Sequence, residues 1–236
     1  MSVADSAAAP EAASAPNLIP LRDTFIADCE TPVSAFLKLR ELAPGEPAFL
    51  LESAEQGQRM GRYSFIGFRP RAVLRWSLGD PGDPYALAAA AVAELRQAPV
   101  DDGMDGSPFM GGAVGFFGYD LVRTVEPLGQ PNPDTLGLPD MALMLTDALV
   151  AFDHLKHTIT ILANADLDAE PDLESAREAA ARTIAEVRAC LAGPVPHVAG
   201  SMAQGKGSRV HDEDSAAPGA PEIGRASCRE RVLTDV

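Results

Sequence analysis

The chain has 236 residues, of which 46% are hydrophobic and 22% are charged, and a formal net charge of −15 at pH 7. This composition is ordinary for a water-soluble globular protein, and the length allows one large domain with tails. The charge argues against binding a nucleic-acid backbone, which needs a basic face. No apolar run reaches the roughly 18 residues that a membrane helix requires.

The first 17 residues are rich in alanine, serine and proline, which predicts a disordered tail. They contain neither a basic n-region nor a long apolar h-region, so they do not predict a signal peptide. The cysteines are far apart and form no C-x-x-C pair, which favours free thiols in a cytoplasmic protein. The histidines suggest no metal site, because zinc normally needs three or four convergent ligands.

The predicted domain begins near Leu18 with a strand over residues 19–27. Thr31 and Pro32 are typical of a helix start, as the N-cap and the first helical residue. This helix ends before Pro44. Its predicted buried residues are Val33, Phe36, Leu37 and Leu39.

Three strands are predicted next, over residues 48–52, 63–68 and 72–78. The alternation in the third predicts one solvent-exposed face and one buried face. An alanine-rich helix over residues 85–97 and a loop over residues 101–108 follow.

The segment GGAVGFFGY, residues 111–119, indicates a strand whose glycines let another backbone come close. It lacks the G-x-G-x-x-G spacing of a phosphate-binding loop. Prolines make residues 122–138 irregular, and residues 142–152 and 158–163 predict an antiparallel hairpin.

A strong amphipathic helix is predicted over residues 173–191, with Asp172 near its start and Gly193-Pro194 at its end. After this helix the apolar residues lose their regular spacing, which predicts a linker over residues 199–221. The whole pattern predicts one α+β domain over residues 18–198, with mixed sheets and packed helices.

Glu52 and Ser53 end a predicted strand, where a carboxylate and a hydroxyl can together hold an amine and an indole or amide N–H. By themselves they are more typical of a plain strand end. Arg62 is open to an equally ordinary interpretation, as a surface partner of Glu52 or Glu55. No catalytic triad, Cys-His pair or metal-ligand cluster is recognisable, so the residues alone leave the function open and assign no catalytic residue.

Three blocks resemble the N-terminal domain of anthranilate synthase component I, in the family's order and spacing. They are FLLESAEQGQRMGRYSFIGF at 49–68, GGAVGFFGYDLVR at 111–123 and PDMALMLTDALVAFDHLKHTITILAN at 139–164. The resemblance implies mainly antiparallel sheets and a role in the first step of tryptophan biosynthesis, a lyase reaction. There, chorismate and ammonia give anthranilate and pyruvate with Mg²⁺. A glutamine amidotransferase subunit, component II, supplies the ammonia.

In that family the chorismate and magnesium residues lie in a C-terminal domain, of which we expect no counterpart here. The resemblance therefore implies no catalytic residue and a fragment that is inactive alone. It implies a feedback site for tryptophan at the LLES motif, with Ser53 and Glu52 at the ammonium region and Leu51 as an apolar wall. Tyr63 and Ser64 are weaker candidates. The implied control is allosteric, because tryptophan would favour one arrangement of two domains.

Three other functions stay open. Aminodeoxychorismate synthase component I, of the folate pathway, shares this fold, although LLES combined with GRYSFIG favours the anthranilate enzyme. The chain is alternatively a stand-alone tryptophan-binding module, or a structural partner that only docks another chain.

The segment EIGRASCRERV, residues 222–232, breaks from the acidic sequence before it. Its codons would resemble a common sequencing adapter, so we interpret residues 222–236 as a non-native tail and exclude them from fold reasoning. Cys228 then carries no functional prediction.

Overall fold

The computed structural model describes residues 15–26, 28–53, 61–99, 109–129 and 134–196, and the backbone of residues 230–235. The side chain of Ser53 lies outside this described part. The predicted loop at 101–108, the linker at 199–221 and most of both predicted tails also fall outside it.

Nine strands, three α-helices and one 3₁₀ helix occur in the described residues. The strands are β1 Leu18–Ile26, β2 Ala48–Ser53, β3 Tyr63–Phe68, β4 Ala72–Trp76, β5 Gly112–Phe117, β6 Met141–Thr146, β7 Ala148–Asp153, β8 Thr158–Asp166 and β9 Glu230–Asp235. The helices are α1 Pro32–Arg40, α2 Pro84–Ala93 and α3 Leu173–Ala192, and the 3₁₀ helix is Tyr119–Thr124. The predicted α+β class is confirmed. None of the described helices is long and apolar enough to cross a membrane.

The strands form a large sheet of order β1-β8-β7-β3-β2-β9 and a small sheet of order β4-β6-β5. Every neighbouring pair is antiparallel. Helices α1 and α3 cover one face of the large sheet, and the small sheet packs on the other. Helix α2 and the 3₁₀ helix cover the outer face of the small sheet through Ala88 and Leu121.

The apolar run predicted as one strand over residues 142–152 is two strands in different sheets. β6 pairs with β4 and β5, whereas β7 pairs with β3 and β8. The chain changes sheets at Asp147, whose carboxylate lies 3.0 Å from Arg71. Its carbonyl oxygen accepts a hydrogen bond from the side-chain amide of Asn164. The prediction was wrong here because both strands are apolar and only one polar residue divides them.

Helix α1 begins as predicted, with Thr31 as N-cap and Pro32 in the first turn. Its buried face differs from the prediction, since Val33 is 44% exposed and Lys38 is buried. The Lys38 ammonium pairs with Glu30 at 2.5 Å and donates to the carbonyl oxygen of Leu191 at 2.8 Å. These two partners explain how a lysine is accommodated inside, because a buried charge requires pairing.

The core between the helices and the large sheet is completely apolar at its centre. Ile66, Val150 and Ile161, on adjacent strands, are 0% exposed. They pack with Leu39 of α1 and Val187 of α3. Each such side chain contributes about 1.5–3 kcal/mol through burial, so this layer is the main stabilising element.

The N-terminal boundary lies slightly earlier than predicted. Asn17, placed by the sequence in the tail, is only 6% exposed. Its side chain donates to the carbonyl of Glu94 and accepts from the N–H of Arg96.

The predicted role of the glycines in β5 holds at Gly115. A Cβ atom there would lie 1.9 Å from the carbonyl oxygen of Ala142.

Candidate functional site

The predicted site residues lie on both faces of the large sheet. In the register of β2 and β3, Leu51 is opposite Phe65 and Glu52 is opposite Ser64. Leu51, Tyr63 and Phe65 pack on the face toward the small sheet. Since successive strand residues point to opposite faces, Glu52 and Ser64 point to the helix side. The structure therefore brings Leu51 and Tyr63 together and separates both from Glu52 and Ser64.

The end of β2 carries the remaining predicted residue. Ser53 is the last residue of the strand, and its backbone pairs with Glu230 of β9. Glu52 is partly buried and pairs in register with Arg231. β9 belongs to the tail that the sequence predicts to be non-native, and β2, which carries the candidate carboxylate, is the last strand of the large sheet before it.

An aromatic wall surrounds Leu51 on the face toward the small sheet. The rings of Tyr63 and Phe65 lie 6.0 Å apart with a 25° interplanar angle. Phe109 meets Phe65 edge-on at 5.5 Å. Sequence reasoning missed Phe65 and Phe109, although the two-residue spacing of Tyr63 and Phe65 in one strand indicates a shared face. Phe65 is only 6% exposed, so these rings pack between the two sheets, and Tyr63 is the member of the wall that also lines the neighbouring groove.

Arg62 forms a two-pronged ion pair with Asp153, at 3.0 and 2.7 Å. Its guanidinium lies 4.8 Å from the centre of the Tyr63 ring. Burial by itself would raise the pKa of Asp153. Hydrogen bonds from Arg62 and from the N–H groups of Lys156 and Leu155 lower it by more, so the pKa of Asp153 lies below its ordinary value. The sequence did not suggest Asp153 as a partner, because the contact depends on the pairing of β3 with β7.

A groove of about 200 Å³ adjoins the aromatic wall. It is lined by Thr24, Tyr63, Ala151, Asp153, Lys156, Thr158 and Thr160. The hydroxyls of Thr24 and Thr160 are 2.9 Å apart. Hydroxyls, a carboxylate and an aromatic edge suit a small ligand that is partly polar and partly apolar.

Ser64 is engaged inside the protein. It is 2% exposed, and its hydroxyl lies 2.7 Å from Nε2 of His154. The His154 ring stacks beside Phe152 with centres 6.4 Å apart. A ligand would have to displace His154 to reach this hydroxyl, which weakens Ser64 as a candidate.

A larger cavity of about 380 Å³ lies between the end of β1 and the C-terminal end of α3. Phe25 and Arg188 line it, with the guanidinium 3.9 Å from the ring centre. Arg188 also pairs with Asp23 at 2.7 Å. This cavity contains none of the predicted site residues.

No group of three or more His, Cys, Asp or Glu residues suited to a metal ion occurs in the described part of the chain. Cys29 and Cys190 are free cysteines. Burial raises the pKa of the Cys190 thiol, so this thiol is not activated as a nucleophile.

A model of the family described as chorismate binding enzyme matches residues 46–216. The chain is 41% identical over 197 residues to anthranilate synthase component 1 of Thermus thermophilus, covering 79% of this chain and 39% of that protein. It is 39% identical over 195 residues to anthranilate synthase component 1 of Pseudomonas aeruginosa, covering 76% and 38%. The chain thus spans about two fifths of the length of these relatives.

Among solved structures, the chain is similar to anthranilate synthase component I from Streptococcus pneumoniae TIGR4. The TM-score is 0.48 and the sequence identity is 23%, over 73% of this chain and 37% of that chain.

Proposed function

The chain belongs to the chorismate binding enzyme family, and we propose that it supplies the tryptophan-feedback part of an anthranilate synthase component I. The observation that carries this proposal is the 41% identity to a component 1 protein over 79% of the chain. The reaction proposed for the whole enzyme is a lyase reaction, the conversion of chorismate and ammonia to anthranilate and pyruvate. A glutamine amidotransferase, component II, is the proposed partner, and the cytoplasm is the proposed location.

We propose that tryptophan binds at the end of β2. The indole would lie against Leu51 and the aromatic wall of Tyr63 and Phe65, whose ring contacts favour a flat aromatic group. Glu52 is included as the carboxylate of the same LLES motif, although its side chain points to the opposite face of the sheet from this wall. Ser53 is included because it belongs to the LLES motif. Ser64 is the weakest member, since His154 already holds its hydroxyl.

Magnesium enters the proposal only for the whole enzyme. The described residues offer no cluster of acidic, histidine or cysteine side chains that fits a metal ion, so we assign it no ligand or step here. By the family resemblance, chorismate and magnesium are held by a C-terminal domain. We therefore expect the 236-residue chain alone to form no anthranilate, which a fluorescence assay with chorismate, ammonia and Mg²⁺ would check.

A chimera tests the regulatory part of the proposal. Residues 18–196 would replace their counterpart in the Thermus thermophilus component 1, and anthranilate formation from chorismate and ammonia would be measured with and without tryptophan. We expect activity that tryptophan inhibits. Replacing Ser53 with alanine should relieve the inhibition and leave the uninhibited rate unchanged.

The matched control is Ser77→Ala, beyond the end of β4, which should keep normal inhibition. An active parent chimera that tryptophan does not inhibit would contradict the feedback proposal. In a separate experiment, calorimetry with tryptophan measures whether the unaltered 236-residue chain binds tryptophan by itself, as a stand-alone sensor would.

A further inference from the structure

The start of β3 is fastened to the turn that follows β7. Tyr63, the first residue of β3, lies opposite Asp153, the last residue of β7. The N–H of His154 donates to the carbonyl oxygen of Arg62 at 2.8 Å. This hydrogen bond continues the strand pairing one residue beyond its last paired position, so the turn holds the backbone that enters β3.

Side chains of the same turn hold both neighbours of Tyr63. The carboxylate of Asp153 accepts from Nε and Nη2 of Arg62, at 3.0 and 2.7 Å. Nε2 of His154 lies 2.7 Å from the hydroxyl of Ser64. We call Asp153 and His154 the turn pair. Because each member of the turn pair binds one neighbour of Tyr63, the residue between those neighbours is fixed from both sides.

Arg62 connects the turn pair to the ring of Tyr63. Its guanidinium lies 4.8 Å from the ring centre, within the distance of about 6 Å at which a cation attracts an aromatic face. The ring of Phe65 stacks on the same ring with centres 6.0 Å apart. The orientation of the Tyr63 ring therefore depends on a cation that Asp153 holds.

The carboxylate of Asp153 is itself anchored. Its Oδ1 accepts from the N–H groups of Leu155 and Lys156 at 3.0 and 3.1 Å, and only 11% of the side chain is exposed. With the two bonds from Arg62, four hydrogen bonds meet at this carboxylate. A guanidinium held by so constrained an acceptor has a defined position, since the two groups match in a planar, two-pronged geometry.

The turn pair lies beside the candidate site. Tyr63 packs against the same apolar cluster as Leu51, and it lines the groove of about 200 Å³ together with Asp153. Ser64 points to the other face of the sheet. Its bond to His154 therefore fixes the strand from behind the site and requires no contact between Ser64 and a ligand.

A second ion pair, at the other end of β3, provides an internal comparison. Arg69 follows the strand and forms two hydrogen bonds with Glu186, each of 2.7 Å. Its guanidinium lies 6.0 Å from the ring centre of Phe68. The chemistry matches that at Tyr63, but Phe68 packs in the core under the helices. Breaking this second pair therefore loosens one end of β3 without touching the candidate site.

We propose that Asp153 and His154 are positioning residues of the tryptophan site, which set its affinity by holding Tyr63 in place through Arg62 and Ser64. This inference rests on the function proposed above for the same site. A side chain that is already fixed loses less conformational freedom when the ligand arrives, so the ligand binds more tightly. The turn pair thus sets the concentration at which tryptophan acts.

The chimera that carries residues 18–196 tests this proposal. In Asp153→Asn, the tryptophan concentration that halves the variant's own uninhibited rate should rise about tenfold, because the side chain keeps its size but loses the charge that holds Arg62. Glu186→Gln is the matched control, since it weakens the same kind of pair at the other end of β3. It should leave the half-inhibiting concentration unchanged, and thermal unfolding confirms that each variant folds.

A double-variant cycle separates positioning from direct contact. If Asp153 acts through Arg62, adding Asp153→Asn to Arg62→Met should cause no further rise in the half-inhibiting concentration. Effects that multiply would mean that the carboxylate contacts tryptophan itself, which contradicts a positioning role.

His154 is tested by removal and by rescue. His154→Ala should raise the half-inhibiting concentration about threefold, the effect of one neutral hydrogen bond. His154→Gln should restore most of the sensitivity, because the glutamine amide can reach the Ser64 hydroxyl in place of Nε2. Equal sensitivity of His154→Ala and the parent chimera would exclude His154 from the proposal.

Amide hydrogen exchange of the 236-residue chain provides a measurement that needs no activity. Exchange at residues 63–65 should be faster in Asp153→Asn than in the unaltered chain, because local opening of the strand becomes easier. Glu186→Gln should leave exchange at these residues unchanged.

Two further results would overturn the proposal. One is unchanged inhibition of the Asp153→Asn chimera when the parent chimera is inhibited. The other is unchanged exchange at residues 63–65 in Asp153→Asn. An active parent chimera that tryptophan does not inhibit would instead contradict the feedback function itself, and this inference would fail with it.

Discussion

The two faces of the large sheet are built for different tasks. On the helix face, Ile66, Val150 and Ile161 are fully buried under α1 and α3. The opposite face carries the aromatic wall of Tyr63 and Phe65. Beside it, threonine hydroxyls line a groove of about 200 Å³. The first face is therefore a fully buried apolar core, whereas the second carries the candidate site.

The largest expected effect is on the helix face. Ile161→Ala should destabilise the protein by about 4 kcal/mol, because a fully buried side chain leaves a cavity between rigid layers. Urea unfolding followed by circular dichroism measures this change. Ile26→Ala is the matched control on the adjacent strand β1, where the side chain is 72% exposed. An equal loss in both variants would mean that the two faces are not distinct.

Lys38→Met should cost about 3 kcal/mol, since it leaves Glu30 and the carbonyl of Leu191 without their buried partner. The double variant Lys38→Met/Glu30→Gln should recover part of that loss, because no unpaired charge then remains. Chemical unfolding of the three proteins measures both steps. A double variant less stable than Lys38→Met would contradict this account.

Gly67→Ala tests packing on the other face and should destabilise by about 2 kcal/mol. A Cβ atom at Gly67 would lie 2.1 Å from the ring of Phe49, which is buried on the opposite strand. Gly129→Ala is the control, since a Cβ atom there meets no atom within 4 Å. Thermal unfolding of both variants checks the difference. If Gly67→Ala were neutral, the aromatic layer would be loosely packed.

The smallest effects concern two arginine ion pairs, and that of Arg62 depends on pH. Asp153 has a lowered pKa in the folded protein, so its contribution is present above the ordinary carboxyl pKa of about 3.9 and is lost as pH falls through the lowered value. Arg62→Met should therefore cost about 1 kcal/mol at pH 7 and progressively less below about pH 4. Unfolding at several pH values measures this dependence.

Arg69→Met is the comparison for that measurement. Arg69 pairs with Glu186 in a similar two-pronged contact, but both side chains are over one third exposed. Its effect at pH 7 should be smaller than that of Arg62→Met, because solvent screens an exposed pair. The reverse order would show that burial does not determine the strength of these pairs.

Local sequence signals predicted local structure well. The Thr31 cap, the bounds of β3 and the stop of α3 at Gly193 depend on neighbouring residues, and each appears as predicted. The division of the apolar run at Asp147 was not predictable, because strand and sheet membership depend on distant partners.

The site was predictable only in part. The LLES and GRYSFIG segments indicated Leu51 and Tyr63, and both pack against the same apolar cluster, while their role in binding stays a prediction. The family resemblance grouped Glu52 and Ser64 with them, but the two-residue period of a strand places these two side chains on the other face. Asp153 was missed because its contact with Arg62 arises from the pairing of β3 with β7.

The single residue between β6 and β7 has a mechanical consequence. Asp147 alone separates the central strand of the small sheet from an interior strand of the large sheet. Because the connection is a single residue, β6 and β7 cannot separate at this junction without breaking strand pairs in one of the sheets. A displacement of β6 at this junction would therefore be passed directly to β7 in the large sheet.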